Sequence, residues 1–163
     1  MKKIKQIYKD KFNFSDIAAD YKIFFDSVDT INLAGVHLYS DLNDNNFYLF
    51  DCKDAERWDA SPIAQIKFQF ADNNTIFIRR LEFINNQYKG KGVASKFIKM
   101  FENFCTKNGY ANIFGEFDPL HGESEEKVKN FYLRNNYEFK TISNKLHIYK
   151  LLKQDINIDE NEF

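Results

Sequence analysis

The chain has 163 residues, a length that gives one domain with a hydrophobic core large enough to need neither a metal nor a disulfide. Its 23 Lys and Arg side chains almost balance its 24 Asp and Glu side chains, which argues against nucleic acid as a partner because phosphate backbones attract basic surfaces. No apolar run approaches the roughly 20 residues of a membrane-spanning helix, and Cys52 and Cys105 are too few for a disulfide framework. We therefore expect a single-domain cytoplasmic protein over residues 1–163 that binds no membrane, with flexible ends at 1–14 and 153–163.

The first half of the chain is predicted to consist mostly of strands that follow an ambiguous helical stretch at 15–27. Four segments are rich in β-branched and aromatic residues, as strands are: 31–39, 47–52, 63–70 and 75–84. Short segments with turn composition, at 41–46 and 72–74, separate some of them. Because such short turns connect neighbouring strands, we expect these strands to pair antiparallel.

The second half alternates helices and strands. It is predicted to contain a helix at 92–108, a strand at 111–117, a helix at 125–135 and a strand at 145–152. In the first helix, four apolar side chains recur every four residues and form a stripe that packs on a sheet: Val93, Phe97, Phe101 and Cys105. Gly109 follows at a position that favours a left-handed residue, and Ser124 is a typical cap for the second helix. The sequence therefore predicts an α/β (α+β) domain in which helices flank a mixed, mostly antiparallel central sheet.

Two of the six glycines lie between a predicted strand and the first predicted helix, in the stretch Gln87-Tyr88-Lys89-Gly90-Lys91-Gly92-Val93-Ala94-Ser95. A glycine turn before a helix lets the backbone approach a ligand, and the unpaired N–H groups and the helix dipole favour phosphate. Lys89 and Lys91 add positive charge. The spacing does not fit a P-loop, and Ser95 stands where a dinucleotide fingerprint needs its third glycine. The turn therefore indicates a phosphate-bearing ligand of another class, with a purely conformational role of the glycines as the alternative.

Other common chemistries lack their motifs. The sequence contains neither G-x-S-x-G nor H-E-x-x-H, and its histidines, His37, His121 and His147, are not spaced as metal ligands. Cys105 belongs to the apolar stripe of the first helix, which argues against a catalytic pair with His121. We therefore predict no metal site.

Two segments resemble the GNAT superfamily of N-acyltransferases. Gln87, Gly90 and Gly92 match the superfamily's acyl-CoA pyrophosphate loop, Arg/Gln-x-x-Gly-x-Gly/Ala followed by a helix. Further along, Phe131-Tyr132-Leu133-Arg134-Asn135-Asn136-Tyr137 resembles its second signature, an aromatic pair near the end of a helix followed by Gly and an aromatic. Asn136 stands where the family usually has Gly, and Glu125 stands near where it often has a cofactor-orienting Asn. The resemblance covers residues 75–152 and implies a single-domain GNAT-like fold.

The resemblance implies direct transfer of an acetyl group from acetyl-CoA to a primary amine, without a covalent enzyme intermediate. The pantetheine arm of acetyl-CoA would bind the backbone of Phe83 and Ile84 like an added strand. The pyrophosphate would bind the loop and the start of the helix, and the aromatic pair would add Phe131 to the cofactor site. The resemblance thus implies these loop residues as cofactor ligands: Gln87, Tyr88, Lys89, Gly90, Lys91, Gly92, Val93, Ala94 and Ser95.

The resemblance also implies the catalytic groups. Tyr132 matches the tyrosine that donates a proton to the departing CoA sulfur, and a phenol with a pKa of about 10 stays protonated at neutral pH. Glu82 lies near where some members carry a catalytic glutamate, although a pairing with Arg80 is the alternative role. A β-bulge in this strand would shift the side-chain faces by one residue. Three further residues could also reach the amine: Glu116, Asp118 and His121.

The acceptor and the oligomeric state stay open at this point. The expected partner is a small-molecule or peptide amine acceptor, bound by a monomer or a homodimer. Four acidic residues could attract a cationic amine, but their turn-like sequence favours solvated surface: Asp41, Asp44, Asp51 and Asp54. The alternative function is a non-catalytic acyl-CoA-binding or protein-interaction module with the same fold, and a nucleotide or dinucleotide binder ranks third.

Overall fold

The computed structural model describes residues 6–7, 23–41, 44–55, 61–72, 74–120 and 122–152. Several predictions fall outside the described residues. They are the flexible ends, of which only Gln6 and Ile7 are described, residues 15–22 of the predicted helical stretch, and His121.

The described chain forms one eight-stranded sheet with two helices. The strands are β1 (Ile23–Val28), β2 (Ile31–Asp41), β3 (Asp44–Asp51), β4 (Ala64–Ala71), β5 (Thr75–Phe83), β6 (Asn112–Glu116), β7 (Glu138–Ile142) and β8 (Lys145–Leu151), and the helices are α1 (Val93–Lys107) and α2 (Glu125–Arg134). The strand order is β1-β2-β3-β4-β5-β6-β8-β7, and only β5 and β6 pair parallel. The predicted mixed, mostly antiparallel sheet flanked by helices is confirmed. Neither helix is long and apolar enough to cross a membrane.

Two strands depart from the sequence prediction. The helical interpretation is wrong over residues 23–27, which belong to β1 and pair along β2 from Ile23 with Val36 to Val28 with Ile31. Four of the six residues of β1 are β-branched or aromatic and favour a strand, so the predicted helical stretch extended too far along the chain: Ile23, Phe24, Phe25 and Val28. The second difference is β7, a mostly exposed edge strand whose sequence shows little alternation between apolar and polar residues. It therefore lacked the pattern by which a half-buried strand is found.

The predicted stripe of α1 forms the centre of the core. Val93, Phe97, Phe101 and Cys105 are all buried, and α1 packs on one face of the sheet. The Phe47 ring from β3 lies 5.7 Å from the ring of Phe97 and 5.5 Å from that of Phe101. Aromatic side chains therefore fill the space between this helix and the sheet.

The opposite face of the sheet carries a second apolar cluster around Ala34, Val36, Phe50 and Ala55. Ile7 packs against this cluster. The sheet is therefore covered on both faces at its β1–β3 end.

A β-bulge interrupts β5 at Arg79. Phe68 of β4 pairs with Ile78, whereas the preceding Lys67 pairs with Arg80, which leaves Arg79 as the extra residue. The core-facing side chains of β5 are therefore Ile76 and Ile78 before the bulge and Leu81 and Phe83 after it. Arg80 and Glu82 consequently point to the opposite face.

The buried tyrosines predict a loss of stability in alkali. Burial raises the pKa of both Tyr132 and Tyr137 above the usual value of about 10. The unfolded chain loses these protons near pH 10 while the folded chain keeps them, so the free energy of unfolding should fall as the pH rises further. Each tyrosine should contribute about 1.4 kcal/mol per pH unit. Urea unfolding between pH 8 and about pH 11.5 measures this slope. A Tyr137→Phe variant with the wild-type slope would contradict the assignment.

Candidate active site

The sheet opens between β5 and β6. Their parallel pairing covers only residues 75–78 of β5 and 112–115 of β6. Beyond it, β5 continues to Phe83 and stays paired with β4, whereas Glu116 of β6 pairs with His147 of β8. Among the described strands, none pairs with the second edge of β5 from Arg79 onward. We call this opening the β5–β6 gap.

Gly115 fixes the point at which the gap begins. It pairs with Ile78 in the last parallel pair, and a Cβ atom at Gly115 would lie 2.6 Å from the backbone oxygen of Ile78. Only glycine allows the two backbones to approach so closely there. The strands are therefore in close contact at this pair and separate directly after it.

Backbone groups of β5 face the gap. The N–H of Ile84 donates to the Ile63 oxygen at 2.8 Å, on the side of β4. Because successive residues of a strand direct their backbone groups to alternate edges, Phe83 and Leu81 direct theirs into the gap. This edge can therefore accept an extended ligand in the manner of an added strand, with Phe83 as a ligand-binding residue. The Ile84 N–H is already bonded, but its side chain is exposed beside this edge.

The turn that follows β5 is held in place by two polar contacts. Asn85 Oδ1 accepts the Gln87 N–H at 3.0 Å and caps a short 3₁₀ turn over Asn86–Tyr88. The Tyr88 side chain is buried, and its hydroxyl donates to Asp51 Oδ2 at 2.7 Å. Tyr88 therefore anchors the turn to the end of β3, and its hydroxyl is engaged inside the protein.

Both glycines of this stretch adopt a left-handed conformation. Gly90 and Gly92 each have φ of +76°, which L side chains rarely adopt. A Cβ atom would meet nothing within 4 Å at Gly90 and only Val28, at 3.8 Å, at Gly92. The glycines are therefore required by backbone conformation rather than by lack of space. We refer to residues 87–92 as the glycine turn.

The start of α1 is arranged to receive an anion. Gly92 is its N-cap, and no side chain caps the N–H groups of the first turn, which includes Val93, Ala94 and Ser95. Uncapped N–H groups and the positive end of the helix dipole attract phosphate. Lys89 and Lys91 are exposed on the glycine turn and reinforce this potential, as does the exposed amide of Gln87. The geometry therefore fits a pyrophosphate group.

Tyr132 lies on α2 in an aromatic surrounding. Its ring centroid is 5.3 Å from that of Phe131, 5.4 Å from Tyr137, 6.3 Å from Phe117 and 6.4 Å from Phe139. Phe117 directly follows β6, so Tyr132 lies at the β6 side of the gap. Burial, with a smaller contribution from the Glu123 carboxylate, raises the pKa of Tyr132 above its usual value. The phenol is therefore protonated at neutral pH and can act as a proton donor.

Glu82 lies on the face of β5 away from α1. Gln65 Nε2 donates to Glu82 Oε2 at 3.1 Å, and Arg80 Nε lies 3.5 Å from the same oxygen. The pairing with Arg80 that the sequence offered as an alternative is thus present. Both contacts are made by Oε2, so they orient the carboxylate, and neither of them occupies Oε1.

The other candidate acids within the described residues lie at the end of β6 and just after it. Glu116 is exposed, and its Oε1 lies 3.7 Å from Lys145 Nζ. Asp118 is also exposed. Among the described residues, no group of three or more His, Cys, Asp or Glu side chains is arranged to hold a metal ion.

Solved structures of acetyltransferases share this architecture. An acetyltransferase of the GNAT family from Staphylococcus aureus Mu50 matches with a TM-score of 0.52 and 11% identity, over 69% of this chain and 70% of that one. Spermidine N-acetyltransferase from Vibrio cholerae matches with a TM-score of 0.52 and 13% identity, over 72% of this chain and 70% of that one. Nourseothricin acetyltransferase matches with a TM-score of 0.51 and 12% identity, over 83% of this chain and 86% of that one. The chain has the GNAT fold. No protein-family model and no curated protein matches its sequence.

Within this GNAT fold, the predicted site residues fall into two groups. One group follows the free edge of β5 into the glycine turn and the first turn of α1, and it contains all the predicted cofactor residues except Phe131. The other group is the aromatic pair of α2, Phe131 and Tyr132. Glu82 lies on β5 beside the first group.

Three features of this GNAT fold were missed from the sequence. Leu81 shares the gap-facing edge with Phe83, but the bulge that determines this alternation has no clear sequence signal. Asp51, interpreted as solvated surface, is buried and binds Tyr88. Asn135, which lay within the second signature without an assigned role, is buried and reaches from α2 to Ser95 of α1.

Proposed function

We propose that this chain is an N-acetyltransferase that transfers the acetyl group of acetyl-CoA directly to a primary amine. The observation that carries the proposal is the β5–β6 gap, whose free backbone edge leads directly into the glycine turn and the uncapped start of α1. An extended arm that ends in a pyrophosphate matches this sequence of surfaces. Acetyl-CoA has that shape, and the GNAT fold supports the choice.

The donor would be held along its length. The backbone of Phe83 binds the pantetheine arm, together with that of Leu81, and the exposed Ile84 side chain packs beside it. Gln87, Lys89 and Lys91, with the backbone from Gly90 to Ser95, bind the pyrophosphate. Tyr88 contributes by holding the turn rather than by contact through its hydroxyl. Phe131 borders the thioester end beside Tyr132.

The reaction requires two proton movements. A free alkylamine has a pKa of about 10.4, so forming the neutral nucleophile at pH 7 costs about 4.6 kcal/mol unless a base assists. Glu82 is the proposed base, directly or through water, and Gln65 orients it. The amine nitrogen bonds to the thioester carbon, the carbon–sulfur bond breaks, and the Tyr132 hydroxyl gives its proton to the leaving thiolate. The proton that the nitrogen loses on becoming an amide returns through water to the Tyr132 oxygen.

Calorimetric titration with acetyl-CoA tests the proposal, with NAD and ATP as controls. We expect acetyl-CoA to bind more tightly than either control, because neither control carries a pantetheine arm for the gap. CoA release is then measured over a panel of small amines and lysine-containing peptides, which compares the two acceptor classes. Absence of acetyl-CoA binding would overturn the proposal, and binding without turnover of any amine would leave a non-catalytic acyl-CoA-binding module.

A further inference from the structure

A buried asparagine connects the two helices of the site. Asn135 is the C-cap residue of α2 and is 4% exposed. Its Nδ2 group donates to the Phe131 oxygen at 2.9 Å, within α2, and to Ser95 Oγ at 3.2 Å, on α1. A single side chain therefore joins the end of one helix to the first turn of the other.

The backbone of Asn135 is fixed by a partly buried ion pair. Lys150 Nζ, from β8, donates to the Asn135 oxygen at 2.8 Å and to Glu102 Oε1, on α1, at 2.6 Å. The Tyr137 hydroxyl donates to the second oxygen of Glu102 at 3.1 Å. Because the Asn135 and Tyr137 side chains are buried and the ion pair is partly shielded from water, loss of one partner weakens the contacts of the others. Asn135 therefore has little freedom to move relative to α1.

The two ends of this connection belong to the two groups of site residues. Ser95 follows the glycine turn, at the phosphate end of the proposed donor site. Asn135 lies three positions after Tyr132, on the helix that provides the proposed proton donor. We propose that Asn135 is a positioning residue, which fixes the Tyr132 helix at the distance from the glycine turn that lets acetyl-CoA engage both. This inference rests on the proposed function.

The test compares acetyl-CoA with its nucleotide half, adenosine 3′-phosphate 5′-diphosphate. In an Asn135→Ala variant, we expect the Kd for acetyl-CoA to rise about five- to tenfold, the effect of one buried hydrogen bond, because the two ends of the ligand no longer meet a fixed pair of surfaces. The Kd of the nucleotide half should change less than about twofold, since that fragment needs only the glycine turn. A general loss of structure would weaken both ligands.

A matched control exists on α1. Asn108, its C-cap residue, donates through Nδ2 to the Phe104 oxygen at 2.7 Å, the same bond within one helix that Asn135 makes to Phe131. Asn108 lies at the opposite end of α1 from Ser95, about 20 Å away along the axis. Asn108→Ala should therefore bind both ligands as the wild type does.

A second variant keeps the test decisive if Asn135→Ala folds poorly. Ser95→Ala removes the acceptor of the same bridge while Asn135 keeps its bond to Phe131. It should also raise the Kd for acetyl-CoA more than the Kd for the nucleotide half. The double variant should have a Kd for acetyl-CoA no higher than that of the weaker-binding single variant. If the wild type binds no acetyl-CoA, the proposed function fails. If the wild type binds acetyl-CoA, but the variants raise the Kd of neither ligand or of both ligands equally, the positioning role alone is wrong.

Discussion

Replacing Tyr132 with Phe is expected to lower kcat for acetyl transfer about 10²- to 10⁴-fold while the Kd for acetyl-CoA stays within about twofold. The change removes the hydroxyl that is proposed to protonate the leaving thiolate. It keeps the ring that packs against Phe117, Tyr137 and Phe139. The rate is measured as CoA release with an amine that the panel identifies, and the affinity is measured by calorimetry.

A tyrosine on β8, the antiparallel neighbour of β6, provides the control for this experiment. Tyr149 of β8 donates its hydroxyl to Asn112 Oδ1 at 3.0 Å, at the end of β6 away from the gap. Tyr149→Phe removes the same atom from the protein and should keep the wild-type kcat. Equal activity of Tyr132→Phe and Tyr149→Phe would show that Tyr132 is only a core aromatic.

Replacing Gly92 with Glu should abolish acetyl-CoA binding. The new side chain must start from a left-handed backbone, at a cost of about 1–2 kcal/mol. Its carboxylate would also lie at the start of α1, where it competes for the N–H groups and repels the pyrophosphate. Calorimetric titration should give no measurable heat of binding at acetyl-CoA concentrations that saturate the wild type.

A variant at the other end of α1 separates the effect of backbone strain from the effect of the new carboxylate. Gly109 has φ of +81° and open space where a Cβ atom would lie, so Gly109→Glu imposes a similar backbone strain. It lies far from the glycine turn and should bind acetyl-CoA normally. If Gly92→Glu binds as well as Gly109→Glu does, the pyrophosphate does not lie at the start of α1.

Much of the fold could be predicted because the signals are local. The apolar repeat of α1 and the left-handed Gly109 after it are properties of neighbouring residues. The same holds for α2, where Ser124 accepts the Lys127 N–H and Asn136 adopts φ of +65° in place of the family's Gly. The strand β1 contains residues that favour a strand, but its apolar run is too short for periodicity to distinguish a strand from the end of a helix, and only its pairing with β2 decides between them.

The site shows the same division. The glycine turn and Tyr132 belong to short motifs, so the sequence alone is enough to propose them as site residues and to give their order along the chain. The contacts of Asp51 with Tyr88 and of Asn135 with Ser95 join residues that are distant in sequence. Composition and periodicity carry no information on such contacts, because any buried partner of suitable polarity would satisfy the same local pattern.

The short parallel pairing of β5 with β6 has a consequence for how the molecule is divided. It is the seam between an antiparallel block, β1 to β5, and a second block, β6 to β8, and it consists of four residue pairs. The Ser95–Asn135 bridge and the Lys150–Glu102 ion pair join α1 to the second block on one face of the sheet. On the other face, Phe77 and Phe114 meet across the seam and are only partly buried. Among the described residues, the two blocks are thus fastened mainly from the helix side. Under the proposed function, the amine would enter from the opposite side, the face to which Glu82 points.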